Sequence, residues 1–356
     1  MQFAFQLEPD ALIAAFAANP PHGFALLSDP RVAASEPPVF HAPFDLLTTA
    51  DESLKERLAS LPLFRHWSYC LCIHTAFVGT TVSEYALWPH RGDLAEVFGA
   101  VLRRCVPHFK LLIVKDIPHT SPLLSATDNV RAEALAQVCR EADCFLIEGQ
   151  ALAYVVIDFA SLDAYLMRLS ASRRHNLRRK LRSRTELEIR RLPTGSDIYL
   201  DDALIDAYYA LYEAVYAQSE LHFDHLTRSF FSTILRDGRC DGLVFEYRQA
   251  GRLIGWNLCF EVGGKLIDKY VGLLYPQARA RNLYFVSWMV NLEYAIERGL
   301  THYVAGWTDP EVKSQLGARF TFTRHAVYVR NPLLRQLARR LARHFESDRT
   351  RMEGLA

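Results

Sequence analysis

Residues 291–317 read NLEYAIERGLTHYVAGWTDPEVKSQLG, and this stretch decides the fold. Apolar side chains recur at helical spacing just before and within its first part, and Gly299 supplies a left-handed C-cap: Phe285, Trp288, Met289, Leu292 and Ile296. Thr301 to Ala305 is too short for a helix and is largely β-branched or aromatic, which predicts a strand. A helix that leads directly into a strand predicts a mixed α/β sheet with functional groups at the strand ends.

Upstream of this stretch the pattern predicts an antiparallel meander. Its three strands run over Gly242–Arg248, Leu253–Phe260 and Lys265–Gly272, with turns at Gly251 and Gly263-Gly264. The flanking elements are a first strand, two helices and a last strand: Leu187–Leu192, Asp201–Ala217, Phe223–Leu235 and Phe320–Arg330. A short helix over Pro310–Gln315 separates the last two strands. The predicted order is strand, two helices, three antiparallel strands, helix, strand, helix, strand.

Composition sets the broad class. A chain of 356 residues is long for one core, and half of it is hydrophobic, which predicts two domains and excludes disorder. The formal net charge of +1 does not indicate a nucleic-acid or membrane partner.

Seven cysteines without a Cys-x-x-Cys pair indicate reduced thiols. The start at Met1 lacks the basic region of a signal peptide. No run approaches the ~20 apolar residues of a membrane span. We expect a cytoplasmic protein.

Five segments follow along the chain. They are an N-terminal arm (1–43), a first lobe (44–160), a basic linker helix (161–186), a second lobe (187–330) and a C-terminal basic amphipathic helix with its tail (331–356). The first lobe is predicted to alternate strands and helices. Its predicted strands include Thr81–Leu87, and Asp128 is a plausible N-cap for a helix over Asn129–Cys139.

The linker is strongly basic: seven of the thirteen residues from Ser172 to Arg184 are Arg or Lys. This segment, the strand at Lys265–Leu274 and the order of elements in the second lobe resemble the GNAT acyltransferase superfamily. Together with Gly306, Lys313, Gly317 and the Thr-Arg-His run at 323–325, they look most like its FemAB-like proteins of peptidoglycan biosynthesis or recognition. The resemblance covers residues 160–330. It implies a GNAT-like mixed α/β sheet flanked by helices, and a degenerate GNAT-like lobe over 44–160.

The chain departs from GNAT enzymes at the donor-phosphate loop. These enzymes hold coenzyme A pyrophosphate with a Gly-containing loop at a helix N-terminus, whereas this chain has QARARN at 277–282. Arg279 and Arg281 could replace the backbone by bidentate contacts, with Asn282 and Tyr284 beside them, or the donor could be something other than a CoA thioester. Two arginines on an exposed first helical turn are the alternative.

The resemblance implies a reactive carbonyl held by main-chain N–H groups near Tyr270 and Gly272, where Gly272 would permit a bulge. Strand alternation places Leu266, Asp268 and Tyr270 on one face. Asp268 is the first candidate for a general base, with a solvent-facing carboxylate as the alternative. Tyr270 or Tyr284 could protonate a leaving thiolate.

Lys313 is the principal candidate cation. The resemblance implies that it points into the cleft after the fifth strand, where it would neutralise a donor phosphate or the tetrahedral intermediate. A solvated lysine on a short surface helix is the alternative. Asp309 is predicted to cap that helix, with Pro310 at its first position.

His222 and His225 form a His-Phe-Asp-His run, but no third cluster with ligand spacing accompanies it, so no metal is expected. We predict instead that Asp224 caps a helix that begins at His225. In GNAT folds this loop lines the acceptor pocket, which makes the two histidines and Trp307 candidate acceptor-binding residues.

The basic segment, with Arg173 and Arg174 as candidate substrate-binding residues, allows three interpretations: a solvated face, a clamp between lobes, or a nucleic-acid surface. FemAB transferases use aminoacyl-tRNA, yet no aromatic residues alternate with these cations. A groove for a phosphorylated or acidic substrate is therefore favoured over tRNA.

The C-terminal helix predicted over Pro332–Phe345 carries several arginines and an apolar stripe formed by Leu334, Leu337, Leu341 and Phe345. Packing of the stripe on the protein's own sheet is favoured. Peripheral contact of residues 332–345 with an anionic membrane is the alternative.

The predicted function is transfer of an acyl group from a thioester to an amine by direct attack in a ternary complex. The donor would be acetyl-CoA, a longer acyl-CoA or an acyl-carrier protein, and the acceptor a small molecule or a cell-envelope precursor. Two alternatives stay open: an aminoacyl-tRNA-dependent transferase acting on a peptidoglycan precursor, and a non-catalytic binding protein that kept the fold.

Overall fold

The computed structural model describes residues 1–28, 35–47, 52–219 and 222–342. Its strands are β1 Phe3–Ala4, β2 Ala25–Ser28, β3 Val39–Asp45, β4 Cys72–Val78, β5 Trp88–Pro89, β6 Leu111–His119, β7 Phe145–Val156, β8 Glu188–Pro193, β9 Gly242–Gln249, β10 Arg252–Val262, β11 Lys265–Leu273, β12 His302–Gly306 and β13 Arg319–Val329.

The helices are α1 Asp10–Ala18, α2 Glu52–Ala59, α3 Phe64–Trp67, α4 Leu94–Cys105, α5 Ala126–Glu141, α6 Leu162–Met167, α7 Ala171–Leu181, α8 Asp202–Tyr216, α9 Arg228–Arg236, α10 Gln277–Ala280, α11 Leu283–Glu297, α12 Pro310–Gln315 and α13 Pro332–Leu341. The order predicted for residues 187–330 is confirmed, because each of its strands and helices is present in sequence.

Eleven strands form one mixed sheet in the order β2-β3-β4-β6-β13-β7-β12-β11-β10-β9-β8, and β1 pairs separately with β5. The middle of the large sheet is an exchange of strands between the two halves of the chain. β7 lies between β12 and β13, and β13 lies between β6 and β7. Each half therefore completes its sheet with a strand from the other.

Within each half, two strands run parallel beside each other. β4 pairs with β6 in the first half, and β11 pairs with β12 in the second. A helix connects each parallel pair, α4 in the first half and α11 in the second, as a parallel crossover requires. The predicted mixed α/β fold with two GNAT-like lobes is confirmed by this repeated arrangement.

Some local predictions are wrong. Residues 81–87 form no strand; they are a largely buried loop, and the N–H of Ala86 donates to the carbonyl oxygen of Asp116 at 2.8 Å. Pairing of β4 with β6 ends at Val114, and the loop covers the remaining edge of β6 through this contact without forming a strand ladder. Helix α5 begins at Ala126 and is capped by the Ser125 hydroxyl, three residues before the predicted cap Asp128.

Two further caps also differ from prediction. Helix α9 begins at Arg228 and is capped by the Thr227 hydroxyl, so Asp224 does not cap it. Asp309 precedes α12, but its left-handed backbone (φ 54°) leaves its side chain without a capping hydrogen bond. Pro310 occupies the first helical position as predicted.

Candidate active site

The candidate site is a fork between β11 and β12. The two strands pair in parallel over only three residues, from Lys265 opposite His302 to Ile267 opposite Val304. Beyond this point β11 continues to Leu273 paired only with β10, while β12 pairs only with β7. The backbone of β11 after Ile267 therefore has no strand partner on the β12 side.

A bulge lies where the fork opens. Opposite β10, Asp268 pairs with Cys259 and Tyr270 pairs with Leu258, so Lys269 is the extra residue. The predicted shared face of Asp268 and Tyr270 is wrong, because the extra residue reverses the alternation after Asp268. The predicted position of the bulge at Gly272 is also wrong.

Gly272 serves packing instead. A Cβ at this position would come within 2.2 Å of the Trp256 indole nitrogen. That indole N–H donates to the carbonyl oxygen of Tyr208 at 3.0 Å. Glycine is therefore required here so that Trp256 can lie across β11.

Lys313 reaches the fork from α12. Its residue is only 4% exposed, and its Nζ lies 4.0 Å from the point that a Cβ on Gly306 would occupy. The carbonyl oxygen of Asp268 lies 3.8 Å from the same point. Burial lowers the pKa of Lys313 to about 8, although the carboxylates of Asp268, Asp309 and Glu84 act in the opposite direction.

The Asp268 carboxylate is held on both oxygens. Oδ2 accepts hydrogen bonds from the Tyr303 hydroxyl at 2.9 Å and the Asn291 amide at 2.8 Å. Oδ1 accepts from the Asn257 amide at 3.2 Å and from the Cys259 thiol at 3.5 Å. Burial raises the pKa of Asp268, while these donors partly oppose that rise.

Sequence reasoning did not identify the partners of Asp268. Asn257 and Asn291 are also joined to each other at 3.1 Å, and Tyr247 donates to Asn257 at 2.8 Å. The available signal was an asparagine on a central strand and another on the apolar face of a helix, since buried amides need partners.

Tyr284 lies near the fork, whereas Tyr270 lies on the other face of β11. The hydroxyl of each is buried and has no hydrogen-bond partner within the described part of the chain. Burial raises the pKa of Tyr284, as do Asp309 and Asp268, which are also neighbours of Lys313. Tyr270 instead packs edge-on against Phe230 and Phe231.

The bulge residue Lys269 joins the two halves. Its Nζ lies 2.6 Å from a carboxylate oxygen of Glu84 and 3.6 Å from one of Glu8. All three side chains are buried, and burial raises the pKa of Glu8 to about 7. We call these residues the Lys269 triad.

The predicted donor-phosphate loop forms the short helix α10. The backbone N–H groups of Ala278, Ala280, Arg281 and Asn282 all donate to carbonyl oxygens of the chain itself. The Arg279 guanidinium donates to the Gln218 side chain at 2.6 Å, and Arg281 pairs with Glu186 at 2.5 Å. Four backbone donors that could cradle a pyrophosphate are thus already used.

The two histidines lie beside helix α8. His225 stacks on Tyr216 with ring centroids 4.4 Å apart, and His222 meets the same ring edge-on at 5.0 Å. His225 also approaches Glu213 at 3.5 Å. Trp307 is half-buried just after β12.

Helix α7 carries the basic residues. One carboxylate of the described residues lies within 4.0 Å of a cation on this helix, that of Asp163 beside Arg178. The cations of the helix are Arg173, Arg174, Arg178, Arg179 and Lys180. Lys180 lies over the Phe285 ring at the start of α11, with Nζ 3.3 Å from the ring centroid. The positive face of α7 thus adjoins the helix that leads away from the fork.

Two kinds of feature are absent from the described ranges. No group of three or more His, Cys, Asp or Glu side chains is placed to hold a metal ion. No helix in these ranges is long and apolar enough to cross a membrane.

A family model named FemAB-like, with the description peptidoglycan biosynthesis/recognition, matches residues 113–355. No curated protein matches the chain.

Several solved structures share the fold. L-PGS from Bacillus licheniformis is 10% identical, with a TM-score of 0.52 over 95% of this chain and 98% of that one. FemX is 12% identical, with a TM-score of 0.52 over 93% of this chain and 94% of that one. The C-terminal domain of a putative lysylphosphatidylglycerol synthetase from Agrobacterium fabrum is 12% identical, with a TM-score of 0.50 over 74% of this chain and 80% of that one.

Proposed function

The chain belongs to the FemAB-like family of peptidoglycan biosynthesis/recognition proteins, and from this membership we propose that it is a transferase that moves an aminoacyl group onto an amine. The observation that carries the proposal is the open fork with a buried ammonium beside it. Lys313 lies next to the unpaired backbone of β11, in a setting where removal from water strengthens its interaction with a developing negative charge.

The proposed reaction is direct attack within a ternary complex. The donor carbonyl enters the fork, and the acceptor nitrogen forms a bond to its carbon. The Lys313 ammonium stabilises the resulting oxyanion. As the tetrahedral intermediate collapses, the bond from carbon to the leaving oxygen breaks. Lys313 or Tyr284 gives a proton to that oxygen and takes one from the attacking nitrogen, so that an amide and a free hydroxyl result.

Asp268 takes a positioning role in this proposal. Both of its oxygens already accept hydrogen bonds, which leaves little capacity to remove a proton from an amine. Its negative charge also supports the protonated form of Lys313.

We favour aminoacyl-tRNA as donor. The α10 loop has already used four backbone N–H groups that a coenzyme A pyrophosphate would need. Helix α7 offers cations with few carboxylate partners among the described residues, as a phosphate backbone requires. This donor would place the reaction in the cytoplasm, and the family description supports an amine of a peptidoglycan precursor as acceptor.

A thioester donor is the second candidate, as acyl-CoA or an acyl-carrier protein. The fork and the bulge at Lys269 favour it, since the same arrangement would receive a thioester carbonyl. Arg279 and Arg281 would then have to leave their present partners to reach the phosphates.

A transfer assay with both donor classes separates these candidates. The protein is incubated with a peptidoglycan precursor and either a pool of labelled aminoacyl-tRNAs or labelled acetyl-CoA and longer acyl-CoAs. We expect label to pass from tRNA to the precursor, and Lys313→Ala to lower the rate at least 100-fold.

Lys265→Ala is the matched control, because this lysine lies at the closed end of the same strand pair. It should keep the wild-type rate. Transfer from acyl-CoA alone would select the second candidate. No transfer from any donor, together with retained precursor binding, would instead identify a binding protein with this fold.

A further inference from the structure

Helix α13 has an orientation opposite to that of an ordinary surface helix. Its leucines point away from the protein: Leu333 is 77% exposed, Leu334 57%, Leu337 53% and Leu341 36%. At 100° per residue these four side chains fall within a sector of roughly 100°. The predicted packing of this stripe on the protein's own sheet is therefore wrong; Phe345, the last residue of the predicted stripe, lies outside the described residues.

The inward face of α13 is formed by alanines and arginines. Ala338 and Ala342 pack against the hydrophobic core. Arg335 pairs with Asp143 at 2.8 Å, donates to the carbonyl oxygen of Val329 at 2.8 Å and lies over the Tyr328 ring. These contacts use the polar side of the helix for attachment and leave the apolar side free.

The start of the helix is firmly defined. The Asn331 side chain accepts hydrogen bonds from the N–H groups of Leu333 and Leu334 at 2.9 and 3.2 Å, and Pro332 occupies the first turn. The outward position of the leucines is thus fixed by the cap and by the inward contacts together.

Charge indicates what covers this face. Residues 331–342 contain three arginines and no Asp or Glu. Arg340 is exposed in the last turn and falls about 20° outside the leucine sector at 100° per residue. Arg339 lies on the opposite side of the helix and donates to the carbonyl oxygen of Asp143 at 3.5 Å. An apolar stripe with a cation at its edge and no acidic residue on its helix is suited to the headgroup region of an anionic bilayer.

The same charge disfavours pairing with a second copy. Two α13 helices packed through their leucines would bring Arg340 of both chains to one interface without an acidic residue from either helix. We therefore propose that α13 docks the protein reversibly on an anionic lipid surface, with the leucine stripe inserted among the headgroups.

Vesicle co-sedimentation of the full chain tests this proposal. The vesicles are pure phosphatidylcholine, or phosphatidylcholine with 30% phosphatidylglycerol, at 0.1 and 0.5 M NaCl. We expect binding to the anionic vesicles at low salt, at least fivefold weaker binding at high salt, and little binding to neutral vesicles.

The double variant Leu334→Ser, Leu337→Ser should lower the partition coefficient at least tenfold without lowering Tm, because both side chains are exposed. Leu200→Ser is the matched control, since Leu200 is 70% exposed but lies outside α13. It should bind like the wild type.

Equal binding by the wild type and the double variant would overturn the proposal, as would failure of the wild type to bind anionic vesicles. A dimer in light scattering that the double variant abolishes, without vesicle binding, would assign the face to self-association instead. The assay uses no donor or acceptor, so its result is independent of the proposed transferase activity.

Discussion

At the scale of single residues, the buried charge of Lys313 destabilises the folded state. An ammonium whose pKa falls from 10.5 to about 8 on folding disfavours the folded state by roughly 3 kcal/mol when it is charged. No carboxylate within the described ranges lies within 4.0 Å of it to offset this cost as a salt bridge. A buried charge without such a partner is typical of a functional position.

Lys313→Met should therefore stabilise the protein while removing activity. At pH 7 we expect the free energy of unfolding to rise by up to about 3 kcal/mol, because the variant buries no charge. Urea denaturation with an unchanged m-value measures the difference. Lys110→Met, at an exposed lysine, should change the free energy by less than about 0.5 kcal/mol.

The effect of Lys313 on the free energy of unfolding should depend on pH. The unfolded chain holds the Lys313 proton up to pH 10.5 and the folded chain only to about pH 8, so wild-type stability from this group rises between those values. The difference between variant and wild type should be largest below pH 8 and vanish above pH 10.5. A difference that stays constant across this range would show that shape, not charge, is responsible.

The position of Lys313 beside the fork could be predicted from the sequence, whereas its role in catalysis stays a prediction. Lys313 could be singled out because it follows the fifth strand of a familiar order. The hydrogen-bond partners of Asp268 could not, because Asn257, Asn291 and Tyr303 converge from three different elements. Their contacts depend on how these elements pack together, which the periodicity of a short stretch of sequence does not indicate.

At the scale of elements, each half of the chain contains one parallel strand pair, and the two pairs differ in what occupies the fork beyond them. In the first half, pairing runs from Thr75 opposite Leu111 to Val78 opposite Val114. Residues 80–88 then turn back beside β6 and are buried there, apart from a half-exposed Thr81. The first fork is thus filled by the chain itself, and we infer that only the second fork can receive a donor.

Gly306→Ala tests the second fork. Its backbone has φ 76°, so alanine should cost about 1–2 kcal/mol through the left-handed conformation. The new methyl group would lie 4.0 Å from the Lys313 Nζ and occupy the opening. We expect kcat/KM for transfer to fall at least tenfold.

Gly251→Ala provides the comparison for that substitution. Gly251 has φ 78° and nothing within 4 Å of the new Cβ, so it carries the same backbone cost without filling a site. Both variants should lose similar stability in thermal unfolding, and only Gly306→Ala should lose activity. Equal kcat/KM values for the two variants would show that the donor does not bind in this fork.

The order of elements could be predicted from local periodicity, but the bulge could not. Hydrophobic spacing and glycine turns belong to short windows of sequence, which explains the correct order over residues 187–330. Lys269 has no local signature as a bulge residue, because its position depends on how β10 and β11 align. Because the bulge was not predicted, Tyr270 was assigned to the wrong face of the strand.

At the scale of the whole molecule, the exchange of β7 and β13 makes one sheet from two halves. Residues paired across β7 and β13 are separated by more than 150 positions in sequence, as for Arg319 and Tyr154. No pattern within a window indicates such a partner. The boundaries at residues 160 and 187 stay predictions, while the sheet itself is continuous across them.

The Lys269 triad adds a second connection between the halves, because Glu8 and Glu84 belong to the first half and Lys269 to β11. We expect calorimetry of the full chain to show a single unfolding transition. Lys269→Met should lower the free energy of unfolding by about 3–5 kcal/mol, since it leaves two buried carboxylates without their cation.

Arg191→Met removes an exposed ion pair with Glu297 and should cost less than about 1 kcal/mol. Its transition should also stay single. If Lys269→Met instead split the transition in two, the triad would be the main link between halves that otherwise unfold separately. A single transition shifted to lower temperature would show that the exchanged strands keep the halves together without it, since β7 and β13 remain paired on both sides.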